Sequence, residues 1–169
     1  MKALIVFESM FGNTGTVART IAEGLAGTFE VTLAHVAELP AAQDTDLLVV
    51  GAPTHAMSLS RPATRQEAAR MGVVLPGAGG IGVREFLDGL PPLPGLPAVA
   101  FDCRSDKPLP NSAARSAFRR LRRLGCRMLM PPRSFRVGAA TGPLLDGELD
   151  EARSWARSLA GALRAGQRV

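Results

Sequence analysis

The segment whose residue types most suggest chemistry is Glu8-Ser9-Met10-Phe11-Gly12-Asn13-Thr14-Gly15-Thr16. It joins an apolar run, Lys2 to Phe7, to a stretch with apolar residues at helical spacing. A turn entering a helix offers unpaired backbone N–H groups and the positive end of the helix dipole. Together these attract an anion. Ser9, Asn13, Thr14 and Thr16 add hydrogen-bonding side chains, Gly12 lets the backbone turn tightly, and no Lys or Arg is present. A triphosphate loop, G-x-x-x-x-G-K-S/T, needs its lysine, and a dinucleotide turn needs G-x-G-x-x-G; this segment has neither. Two readings remain: a site for one phosphate monoester held by neutral donors, or a helix cap made by Ser, Asn and Thr.

The elements that would position this loop alternate along the chain. Lys2 to Phe7 reads as a buried strand and Thr14 to Ala26 as a helix with Val17, Ile21 and Leu25 on its core face. Phe29 to Ala34 and Asp46 to Val50 read as the second and third strands, and Ala98 to Asp102 as the fourth. Between the third and fourth lie a short helix over TRQEAAR, a glycine-rich loop, and a second short helix from Val83 to Leu90. Ser112 to Leu124 reads as a basic amphipathic helix. A fifth strand starts at Cys126, is interrupted by Pro131 and Pro132, and resumes over Ser134 to Val137. A last helix runs from Glu148 to Ala165. Parallel strands need crossover helices, so the fold class is α/β, a three-layer sandwich with a five-stranded parallel sheet, forming one domain over residues 1–169. Ligands of such sheets bind at the carboxyl ends of the strands, which singles out the loops after the first, third and fourth. A phosphoacceptor receiver domain shares this element order. It needs an acidic pair after strand one, an Asp after strand three and a Lys after strand five, and this chain supplies only Glu8.

Ser9-Met10-Phe11-Gly12-Asn13-Thr14 resembles the phosphate loop of flavodoxins, S/T-x-T/Y-G-x-T, with an aromatic third residue. The likeness extends over the whole chain in element order and points to the short-chain type with strand order 2-1-3-4-5. The resemblance implies FMN as cofactor, its phosphate on Ser9, Met10, Phe11, Gly12, Asn13 and Thr14 and its ring between two further loops. In flavodoxins the loop after strand three lies along the ring; here Pro53, Thr54, His55 and Met57 occupy it. His55 would stack on the flavin or bond near its N5 edge, or serve the structure alone. The loop after strand four resembles F-G-x-G-D, ending in a stacking Tyr. Phe101 fits, Asp102 and Arg104 hold the glycine positions, and the chain has no Tyr. The resemblance therefore places Asp102, Cys103 and Arg104 beside the ring, with Arg104 bringing positive charge to its pyrimidine end. Cys103 reads as a reactive thiol or, more simply, as a small core residue, and Cys126 as core. No residue is needed as a catalytic acid or base.

Gly77-Ala78-Gly79-Gly80-Ile81-Gly82 does satisfy G-x-G-x-x-G. Pro76 separates it from the preceding apolar run, and too little chain follows for a second nucleotide-binding half, so it reads as a flexible loop, a lid over the ring. The 169 residues are 46% hydrophobic and 21% charged, which excludes a disordered chain. No apolar run is long enough to span a membrane, and Ala3 to Phe7 is too short for a signal peptide, so a cytoplasmic protein is expected. Two cysteines make neither a disulfide framework nor a metal site. The net charge is +5, and Arg115, Arg119, Arg120, Arg122 and Arg123 crowd one helix. That face suits solvent, or an acidic redox partner protein; nucleic acid is disfavoured because no aromatic residues interleave with the arginines. The functional expectation is an FMN-binding electron-transfer protein. The alternatives are an FMN-dependent oxidoreductase acting on a small-molecule substrate or acceptor of the quinone or porphyrinogen type, and a flavin-free binding module of the same shape.

Overall fold

The computed structural model describes residues 1–166; the expected domain runs on to 169, and its last three residues lie outside the described ones. The elements follow in the order β1 (Lys2–Phe7), α1 (Asn13–Leu25), β2 (Glu30–His35), β3 (Leu47–Pro53), α2 (Pro62–Met71), α3 (Val83–Asp88), β4 (Pro97–Ser105), α4 (Ala113–Arg123), β5 (Arg127–Met128), β6 (Arg133–Val137) and α5 (Glu148–Gly166). All strand pairings are parallel and the order is β2-β1-β3-β4-β5, with β6 resuming alongside β4. The expected fifth strand is thus one path in two pieces. Pro131 and Pro132 donate no N–H, so pairing lapses between Met128 and Arg133 and then recovers, Phe101 facing Arg133 and Ser105 facing Val137.

Alternating side chains of the central strands feed two separate cores. Ile5, Val49, Val99 and Phe101 point to one face, where α1 supplies Val17, Ile21 and Leu25 and α5 supplies Trp155, Ala156, Leu159 and Leu163. Leu4, Val6, Leu48, Val50, Ala98 and Ala100 point to the other, against Val83, Phe86 and Leu87 of α3 and Ala113, Ala117 and Leu121 of α4. The sheet is therefore covered on both faces, as its uninterrupted apolar strands require. No helix among the described residues is long and apolar enough to cross a membrane.

Two element boundaries differ from the sequence reading. β4 continues to Ser105 rather than stopping at Asp102, because Arg104 and Ser105 find partners in β6. α2 spans ten residues from Pro62, with proline in the first turn where its missing N–H costs nothing.

The edge of the sheet that matters for binding is anchored by three rings. Phe101, Phe135 and Trp155 meet edge to face, with centroids 6.0, 6.2 and 6.1 Å apart. The Phe101 ring lies directly over Gly51, its neighbour in register on β3, and a Cβ there would overlap the ring. Phe101 is fully buried and has nowhere to retreat. Gly51→Ala is expected to destabilise the fold by about 1–3 kcal/mol through this overpacking. Urea unfolding checks it; an unchanged midpoint would show that the ring cluster can shift.

Candidate functional site

The carboxyl ends of β1, β3, β4 and β6 open onto a cleft of about 600 Å³, within the range of small-molecule sites. Its floor is the loop after β1. Gly12 adopts the left-handed backbone (φ 102°) and delivers the chain into α1. Ser9 Oγ accepts from the Gly12 N–H at 3.1 Å, Thr16 Oγ1 donates to the Gly12 carbonyl at 3.0 Å, and Asn13 Nδ2 donates to the Thr141 carbonyl at 3.2 Å. These bonds tie the loop to itself and to the turn after β6. None of them caps α1: no side chain accepts from its first turn, which also contains no acidic residue. Among the described residues the N–H groups of Asn13, Thr14 and Gly15 have no acceptor. The cap reading therefore fails, and the donors remain available at the positive end of the helix dipole. Ser9, Met10, Phe11, Asn13 and Thr14 all line the cleft.

The second wall comes from the loop after β3. Pro53, Thr54, His55, Ala56 and Met57 line it. His55 and Ser58 exchange backbone hydrogen bonds of 2.9 and 3.0 Å, closing a two-residue turn in which Ala56 and Met57 both have positive φ (46° and 60°). Such turns normally use Asn or Gly; side chains there cost about 1–2 kcal/mol each. Strain of this kind gathers where a binding surface must be held in shape. His55 Nδ1 lies 3.2 Å from Thr64 Oγ1 of α2. Burial, and then the charge of Arg65, lower its pKa, so the ring stays neutral at pH 7.

The third wall, after β4, corrects one expectation. Asp102 does not line the cleft. It is wholly buried on the α4 side of the sheet, where Oδ2 accepts from the Ala114 N–H at 2.8 Å and from Thr54 Oγ1 at 3.2 Å. The alternation of β4 explains this: Asp102 shares a face with Ala98 and Ala100, whereas Cys103 shares one with Phe101. Asp102 thus fixes Thr54 and the start of α4 rather than meeting a ligand. Cys103 and Arg104 do line the cleft. Burial pushes the Cys103 thiol up to about 12, against a hydrogen bond with Thr14 that lowers it, so it remains a thiol and packs as a small core residue. Arg104 is also buried, and its Nη2 donates to the carbonyls of Lys107 and Leu109 at 3.0 and 3.1 Å. Its guanidinium therefore shapes the loop that carries Ser105, Lys107 and Leu109 along the cleft.

Three groups of residues escaped the sequence reading. Thr64, Glu67, Ala68 and Met71 of α2 form an additional side of the cleft, and Val137 to Ala140 after β6 close its far end. The small residues of Gly-Ala-Ala-Thr-Gly were the available signal for the latter. The third group is a polar chain of Glu8, Ser60, Arg65 and Glu85 behind the first loop, buried except at Glu85. The glycine-rich segment is not a lid: no residue from 72 to 82 lines the cleft. It docks behind the first loop instead, where the Leu75 N–H bonds the Met10 carbonyl at 2.9 Å and Ala78 packs on Met10 and Ala68.

No protein-family model matches the chain. No curated protein matches it by sequence. Solved structures do. It is similar to oxidised flavodoxin 2 from Bacillus cereus, with TM-score 0.66 and 20% identity over 95% of this chain and 99% of that one. A flavodoxin from the domain Archaea gives 0.64 and 18% over 97% and 99%. A short-chain flavodoxin associated with a non-canonical PDU bacterial microcompartment gives 0.63 and 16% over 96% and 99%. With its strand order and near-complete coverage in both directions, the chain has the flavodoxin-like fold.

Proposed function

We propose that the cleft binds FMN and that the protein transfers electrons. The observation that carries this reading is the set of open N–H groups on Asn13, Thr14 and Gly15, at an uncapped helix start without an acidic residue. A phosphate monoester supplies the missing acceptors. The adjoining cleft is walled by apolar and neutral side chains, Met10, Phe11, Pro53, His55 and Met57, which suit a planar, largely apolar ring. Ser9, Gly12, Asn13 and Thr14 would hold the phosphate, and Pro53, Thr54, His55, Met57, Cys103 and Arg104 would flank the ring. FMN would supply the one- or two-electron chemistry, and the protein its binding, orientation and electrostatics.

The surface around the cleft favours a partner of particular charge. Met57 and Met71 line the cleft and are exposed. Arg61, Arg70 and Lys107 are also exposed, and Lys107 lines the cleft. On α4, Arg115, Arg119, Arg122 and Arg123 are exposed and form no ion pair among the described residues, whereas Arg120 pairs with Asp88. We infer an acidic redox protein, docking by charge around an apolar centre. A second reading is favoured by Met71: it stands exposed along the cleft, which leaves room for a small substrate, a quinone to be reduced or a porphyrinogen to be oxidised.

Titration of the apo chain with FMN and with riboflavin, followed by flavin fluorescence, tests the cofactor. Wild type should bind FMN more tightly. Gly12→Glu, which sets a carboxylate at the anion site, should weaken FMN about tenfold or more, roughly 1.4 kcal/mol, and leave riboflavin nearly unchanged. No binding of either flavin, or equal loss of both, overturns the reading. For the partner, electron delivery to an acidic acceptor protein should slow as salt rises, and Arg115→Glu/Arg119→Glu should flatten that dependence. A rate indifferent to both would point to the small-molecule acceptor.

A further inference from the structure

The polar chain behind the first loop has no part in contacting a ligand, yet it joins the segments that make the cleft. Glu8, 1% exposed, directly precedes Ser9. Its Oε1 accepts from the Ser60 hydroxyl, and its Oε2 from the Val83 N–H at 2.9 Å. Ser60 Oγ accepts in turn from Arg65 Nη1 at 2.7 Å. Arg65, 3% exposed, grips Glu85 with both terminal nitrogens, at 2.6 and 3.4 Å. Glu85 Oε2 also accepts from the Gly82 N–H at 3.0 Å. The loop after β1, the loop entering α2, α2 itself and the start of α3 are thereby connected through side chains.

What makes this connection decisive is the poverty of α2. Of its ten residues only Arg65 and Ala68 are buried. One buried alanine contributes little apolar area, about 1 kcal/mol at most. A helix so placed is not held by a hydrophobic face; Arg65 is its main attachment. The same helix carries Thr64, Glu67 and Met71 along the cleft.

We propose that Glu8 and Arg65 are positioning residues: the clasp they form through Ser60 fixes α2 against the loop after β1, so the two sides of the cleft are held as one body. Its value to binding is preorganisation, since a wall already in place is not ordered at the moment a ligand arrives. The burial of Glu8, Ser60 and Arg65 fits that role better than a stability role, because buried ion pairs seldom outperform apolar packing in stability. The proposal rests on the flavin reading only in naming what the cleft holds.

Hydrogen exchange of the ligand-free chain, read by mass spectrometry, tests it without any flavin. In Arg65→Met the amides of 62–71, and the hydrogen-bonded amides of Gly12 and Thr16 in the loop after β1, should exchange at least tenfold faster, while those of 149–163 in α5 keep their wild-type rates. Arg65→Lys should restore part of the protection of 62–71. Ser60→Ala, which parts Glu8 from Arg65 but keeps the Arg65–Glu85 pair, should loosen the Gly12 and Thr16 amides more than 62–71, and it stands in if Arg65→Met does not fold. Unchanged exchange in 62–71, or equal acceleration in all three segments, overturns the clasp. The flavin titration separates the two readings. Arg65→Met should weaken FMN and riboflavin alike, about tenfold. A wild type that binds no flavin while its exchange follows the pattern above sinks the cofactor alone; normal affinity in Arg65→Met with unchanged exchange sinks the clasp alone.

Discussion

A parallel sheet cannot be closed by tight turns, so each strand from β1 to β4 must be followed by a connection that returns to the opposite end of the strands. All strand carboxyl ends therefore gather on one side, and all their outgoing N–H groups and helix starts with them. Burial on both faces then fixes each strand in depth: Ile5 and Val49 go to one core, Leu4 and Val50 to the other, and a slip by one residue would exchange them. The cleft inherits its accuracy from this register. Pro53 and Cys103 stand level because β3 and β4 are paired up to that point, and the Phe101 ring over Gly51 locks the pair just beneath.

Above that plane the apolar order gives way to polar bonds. Asp102 joins the loop after β3 to the first turn of α4 through Thr54 Oγ1 and the Ala114 N–H. Arg104 folds the following loop by its carbonyls. Glu8 and Arg65 tie α2 to the loop after β1. Each of these charged side chains is at least nine-tenths buried, and each joins segments far apart in sequence or shapes a loop of the cleft. Burial raises the pKa of Glu8, outweighing the Ser60 hydroxyl, the Val83 N–H and the Arg65 charge. Glu85 is affected by burial in the same sense, but Arg65 overrides it and the net shift is downward. A raised folded-state pKa means that Glu8 adds stability below its ordinary value of 4.5 and that this is lost as pH climbs through the folded value. Glu85 acts oppositely, adding stability above 4.5 that is lost on acidification. One clasp thus contains two carboxylates with opposing pH slopes.

These facts explain what was legible in the sequence. The order of elements was readable because apolar runs and helical spacing are local signals, and Val17, Ile21 and Leu25 fall where expected; the strand order came from the resemblance to flavodoxins. The first loop was readable because its small hydroxyl and amide residues are unusual together. Asp102 was misplaced because the likeness of the loop after strand four set it beside the ring, whereas its place in β4 turns it to the face of Ala98 and Ala100, where Thr54 and Ala114 meet it. Arg65 was invisible for a related reason. An arginine in TRQEAAR reads as a solvated residue, and only the folded chain brings Ser60 and Glu85 to it. Polar residues that work by meeting distant partners leave no periodic trace.

The positive charge of the chain and its candidate anion site are separate devices. The loop after β1 offers backbone N–H groups and hydroxyls with no cation among Glu8 to Thr16, while Arg115, Arg119, Arg122 and Arg123 stand exposed on α4. Fixed dipoles act over the first turn of a helix and fall away quickly, so they select the geometry of an anion already in the cleft. Exposed guanidinium groups act over about a Debye length and weaken with salt, so they govern which large partner approaches. A cation in the loop would confuse the two, drawing any phosphate strongly and leaving geometry to decide less. Keeping the loop neutral makes recognition there depend on the placement of donors, and hence on whatever holds the walls of the cleft in place.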